Sequence, residues 1–211
     1  MTIVNASNLS LEDVQRLFGF EKHYDGLFSP LLSLEPITDV EHQDLKQLQN
    51  DFDKYLTAGK VSEGQVKFLV LAPLLRLAGF YRYPMEIRLE EDIADIEVED
   101  EDTTVRGRMD ILAVSKAKHT QSQLYLWILL IESKNSQIDI FTGLPQLLTY
   151  AYKGLNHQTS VWGLTTNGRV YQFIYIEQGN PPIYYLMPLL NFMEFPRAVE
   201  VLQVLKAICE M

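Results

Sequence analysis

Residues 124–134 read LYLWILLIESK, an unbroken apolar run from Leu124 to Ile131 that ends in a carboxylate, a hydroxyl and an ammonium. A run of that length bounded by polar residues reads as a strand buried on both faces of a sheet; the rival, a buried helix, is usually longer. Side chains alternate along a strand, so Glu132 and Lys134 leave one face and Ser133 the other. Burying an unpaired carboxylate or ammonium is costly. The pair therefore needs a partner, a metal or water. Taken alone, a Glu-x-Lys of this kind marks only where a strand reaches solvent.

Working outward, the segment RGRMDIL (Arg106–Leu112) belongs to an alternating stretch, 103–114, that suits a strand, as does 88–98 before it. The polar KAKHTQSQ (Lys116–Gln123) is expected to be the hairpin connection into the apolar strand. Downstream, 137–155 reads as a helix whose main portion Thr142 would cap, leaving Pro145 in the tolerated first turn. Short strands at 160–164, 170–176 and 183–187 follow, separated by TTNGR and by 178–182, and an amphipathic helix spans about 191–210.

Upstream, Ser10 and Asp13 start a short helix at 9–18, 19–37 is a connection, and 39–56 is helical by periodicity. Ser62 and Gln65 have the spacing of a capping box for a helix over 62–78. Gly79 ends that helix, and Pro73 is expected to kink or break it. The order is helices, three strands, a helix, three strands, a helix. This gives an α/β (α+β) class with a mixed sheet flanked by helices: a helical N-terminal extension over 1–60 and a core domain over 61–211, forming one compact unit.

The 211 residues, 47% hydrophobic, suffice for one sizeable core. No apolar stretch is long enough for a membrane span. The opening MTIVNASNLSLEDV has no basic, apolar, cleavable pattern, so a cytoplasmic protein away from the membrane is expected. One cysteine, Cys209, excludes an internal disulfide and a cysteine-based zinc site, and the four histidines have no ligand spacing. The net charge of −10 is concentrated: Glu86–Asp102 holds ten acidic residues and one basic one, leaving the remainder about neutral. Such a run reads as a solvated loop or edge, and its field is screened within roughly 8–10 Å at physiological salt. The charge therefore weighs only mildly against a nucleic-acid ligand.

Asp110 lies on the strand joined to the Glu132 strand by a hairpin-length connection, and strands so joined usually pair. Two convergent carboxylates suit a hard cation such as Mg²⁺, which takes oxygen ligands. A lysine one strand repeat further on completes equipment for metal-assisted phosphodiester hydrolysis. With MD at 109–110, ESK at 132–134 and Q-x-x-x-Y at Gln146 and Tyr150, the chain resembles the PD-(D/E)XK nucleases. More narrowly, it resembles the N-terminal nuclease region of type I restriction enzyme R subunits, with GLPQLLTYAY and the TTNGR turn adding to the likeness over about 62–176.

The resemblance implies a restriction-endonuclease-like fold and a DNA endonuclease of a restriction or defence system that uses Mg²⁺ or Mn²⁺. Asp110 and Glu132 would be metal ligands and Lys134 the catalytic lysine, while Gln146 and Tyr150 would orient the substrate strand or the metal site. An acid from the first helix often joins such sites; Glu63 is the candidate, its plain alternative being a helix-start carboxylate favoured by the dipole. Arg108, two residues before Asp110, either meets phosphate or forms an ordinary salt bridge. Met109 stands where the family motif has proline. The absence of a G-x-x-x-x-G-K-[ST] loop implies work without ATP, unlike a whole R subunit. A homodimer or partner subunits would then supply DNA-binding surface. The alternative is a catalytically inactive nuclease-fold module that binds nucleic acid or protein.

Overall fold

The structure, a computed structural model, describes residues 2–24, 26–98, 101–119 and 125–211. Strand β4 (Thr103–His119) is the spine of a nine-stranded mixed sheet. Along one edge of β4 runs β3 (Met85–Val98), antiparallel. The other edge is shared. Strand β1 (Thr2–Asn5) lies parallel to residues 103–106, and β5 (Tyr125–Ser133) is antiparallel from Ile111 onward. Beyond β5 come β6 (Ser160–Thr166), parallel to it, and β7 (Val170–Glu177), antiparallel to β6. On the far edge of β7 lie β8 (Ile183–Leu186) and the short β9 (Leu190–Asn191), and β2 (Glu21–His23) closes the sheet against β8.

Helices cover both faces. Residues of α3 (Asp39–Ala58), α4 (Glu63–Val66), α5 (Ala72–Leu77) and α7 (Phe195–Cys209) share one core with Ile111, Leu129 and Ile131. Those of α1 (Leu11–Phe18) and α6 (Leu144–Leu155) share the other with Leu112 and Leu130. A single turn, α2 (Phe28–Leu31), lies in the connection before α3. Strand β5 is thus buried on both faces, which is why its sequence is apolar without alternation. The mixed sheet flanked by helices is the architecture expected of a restriction-endonuclease-like core.

Local chemistry explains most boundaries. Ser10, Thr38 and Ser62 each close a capping box, with Asp13, Glu41 and Gln65. The kink or break expected at Pro73 is instead a turn of π-helix, Lys67–Leu71, between α4 and α5. A proline ring presses on the carbonyl four residues back and offers no N–H, and the wider turn absorbs both defects while the backbone stays helical. Thr142 does not cap α6. Asp139 caps a 3-10 turn over Ile140–Gly143, and Thr142 donates its hydroxyl to the Asp139 carbonyl. Of the expected hairpin connection, 116–119 continue β4, while 120–123, like Leu124 at the head of the apolar run, fall outside the described residues.

The first sixty residues carry α1–α3 and also supply β1 and β2. Strand β4 outruns β5, and β1 pairs with the part of its edge that β5 leaves open. Among the described residues no helix is long and apolar enough to cross a membrane.

Candidate functional site

The β1 pairing ends at Arg106 and the β5 pairing begins at Ile111, so residues 107–110 of β4 face an interruption in the sheet. The sequence-derived residues gather there. The β4–β5 register ends with Ile111 opposite Ile131; Asp110 and Glu132 are the next residue of each strand, near enough for the Asp110 charge to act on Glu132. Met109 and Ile111, two residues apart, lie in opposite cores, so the strand's alternation breaks at Asp110. Alongside, Glu90 of β3 has a left-handed backbone, φ 54°, a strained conformation for a residue with a side chain.

Each oxygen of Asp110 has a partner. Oδ2 accepts from the Ser133 backbone N–H at 2.7 Å and from the Ser133 hydroxyl at 2.9 Å; Oδ1 accepts from Lys67 Nζ at 2.7 Å. Glu132 is 2% exposed. Its Oε1 accepts from Lys134 Nζ at 2.6 Å, while Oε2 is buried and has no hydrogen-bond partner. Burial, and next the Asp110 charge, push its carboxyl up to about 8 against the opposing pull of Lys134. Glu63 reaches the cluster through Lys67, Oε1 to Nζ at 3.0 Å. Burial disfavours the Lys67 charge, but Asp110 and Glu63 outweigh it and raise its affinity for the proton.

The helix motif closes the other side. Gln146 donates to the Tyr150 hydroxyl at 2.7 Å, and Tyr150 donates to the Arg108 carbonyl at 2.9 Å, beside the sheet interruption. Burial, with the Glu132 charge second, pushes the Tyr150 phenol above its usual range. The pair thus braces the backbone two residues before Asp110. Close approach demands small residues: a Cβ on Gly107 would lie 2.8 Å from the Tyr150 oxygen, and one on Gly143 2.9 Å from Glu132 Cγ. Arg108 takes the salt-bridge option, 2.5 Å from Glu90. A cavity of about 590 Å³, lined by Lys67, Phe68, Glu90 and Asp110 among others, opens beside Asp110; Glu132 and Lys134 do not line it.

Asp110, Glu132, Lys134, Gln146, Tyr150 and Glu63, the residues the sequence points to, lie around this interruption. Lys67, Ser133 as an Asp110 partner, and Gly143 join them without a strong mark in the sequence. The one usable signal was the spacing of Glu63 and Lys67, four apart on one helix face.

Among the described residues no group of three or more His, Cys, Asp or Glu forms a ready metal cage. The donor set is two neighbouring carboxylates: Asp110, whose oxygens are held by Lys67 and Ser133, and Glu132, which has an unpartnered buried oxygen. That fits a hard cation which completes its shell with water.

No family model matches the chain, and no curated protein matches it. Among solved structures the chain is similar to a fragment described as the HsdR subunit of a type I restriction enzyme from Vibrio vulnificus YJ016. The two are 19% identical with a TM-score of 0.39, over 67% of this chain and 26% of that one. The chain thus spans about a quarter of that structure's length.

Proposed function

We propose that the protein is a Mg²⁺- or Mn²⁺-dependent endonuclease that hydrolyses DNA phosphodiester bonds in a restriction or defence system. The observation that carries this reading is Glu132: a buried carboxylate beside Asp110, with one oxygen unpartnered and the other held by Lys134. Asp110 and Glu132 would hold the cation. When bound, it would polarise the phosphate and lower the pKa of an attacking water. Lys134 then positions the water or offsets charge on the phosphate, and its 2.6 Å contact with Glu132 fixes where its ammonium stands. Ser133, next to Glu132 on β5, orients Asp110 of β4 through its backbone N–H and hydroxyl. Gln146 and Tyr150 hold the β4 backbone and thereby the placement of Asp110. The substrate is DNA, no ATP is used, and a second copy or partner subunit supplies further DNA-binding surface.

One observation favours a second reading, an inactive nuclease-fold module. Both site carboxylates already face a lysine, Asp110 with Lys67 and Glu132 with Lys134. Purified protein incubated with plasmid and linear DNA in Mg²⁺ or Mn²⁺ separates the two. The nuclease reading expects cation-dependent cleavage that falls at least a hundredfold in Lys134→Ala. No cleavage by the wild type, or cleavage indifferent to that substitution, favours the inactive module.

A further inference from the structure

Lys67 stands where an ordinary surface lysine does not. Its ammonium has three donors, and three carboxylates from three different elements meet it: Asp110 of β4 at 2.7 Å, Glu63 of α4 at 3.0 Å and Glu90 of β3 at 3.3 Å. Its side chain is only 21% exposed. Lys67 is the first residue of the π turn, and Glu90, one of two non-glycine residues with positive φ among the described residues, is held at 54°. Strain of that kind persists only where the surroundings over-determine it, and it concentrates at functional sites.

Sites that use two metal ions for in-line phosphoryl displacement keep them about 3.5–4 Å apart. Here the carboxylates group in two sets that share Asp110. Glu132, with its unpartnered oxygen, is on one side; Glu63 and Glu90 are on the other. The second set already contains a fixed positive charge.

Resting on the metal-site reading above, we infer that Lys67 takes the place of a second divalent cation. The site binds one ion, between Asp110 and Glu132, and the Lys67 ammonium is the second positive centre. Glu63 on this account anchors Lys67 instead of ligating metal. Lys67 is a charge-positioning residue: it sets how many ions enter and holds Asp110 from the side opposite Ser133.

Calorimetric titration of the full chain with Mn²⁺ tests this, with anomalous scattering from Mn²⁺-soaked crystals locating the ions. The wild type should take one ion, at Asp110 and Glu132, with Lys67 still on Glu63. Lys67→Met should take two, the second at Glu63. Lys67→Arg, which keeps the charge and spares the carboxylates from facing one another unscreened, should take one. Two ions in the wild type or the arginine variant would overturn the inference, as would a single ion in a folded Lys67→Met chain. Absence of any Mn²⁺ binding by the wild type is a different result: it removes the underlying metal-site reading as well.

Discussion

At the scale of single residues, the chemistry turns on Glu132. A carboxyl whose folded-state pKa is raised to about 8 binds its proton more tightly in the native than in the unfolded chain. Its contribution to stability is therefore fully present below the unfolded value near 4.5 and is lost as pH rises through about 8. Without divalent cations, the free energy of unfolding should fall between pH 5 and 8 by on the order of a few kcal/mol, and Glu132→Gln should flatten that slope. A flat profile in the wild type would mean that Lys134 keeps the carboxylate charged. Glu132 was legible because an acid at the end of an apolar strand is conspicuous. Ser133 was not, because its role depends on which neighbour its face meets, and that is settled by register. Lys67 was hidden for a further reason: its partners lie on strands 23 and 43 residues away.

Among elements, β4 carries the account, because its two halves pair with different strands and the site occupies the interval between them. The sequence marked β4 and β5 clearly, since alternation and an unbroken apolar run are local signals. The β1 and β2 pairings were not legible: four- and three-residue strands leave no periodic trace, and their partners are distant. The TTNGR turn was readable, and the structure shows what depends on it. Gly168 has φ 83°, and a Cβ there would lie 2.6 Å from the Phe52 ring of α3. Gly168→Ala should therefore cost about 2–4 kcal/mol, from left-handed backbone strain together with overpacking. Thermal or urea unfolding measures it; a loss under 1 kcal/mol would show that α3 yields at that contact.

Over the whole molecule, the acidity seen in composition proves to be organised. Within the acidic run, Glu86 and Glu91 pair with Arg88, Asp95 with Arg106, and Glu101 with Arg16, so β3 is a charged sheet edge. Residues 99 and 100 of that run lie outside the described residues. With many cations engaged in this way, few phosphates can be neutralised by the chain alone. Raising salt from about 50 to 200 mM should weaken binding of an oligonucleotide to the Lys134→Ala chain by about tenfold, as two contacts would give. A thousandfold loss, read by fluorescence anisotropy, would reveal an extended basic face instead. On the proposed function, Asp110 and Glu132 together hold a divalent cation. Mn²⁺ titration calorimetry at neutral pH in buffers of different ionisation enthalpy tests it most directly. Binding should release a proton from Glu132, and it should disappear in Asp110→Asn. Binding of equal strength in that variant, or no binding by the wild type, would contradict the claim.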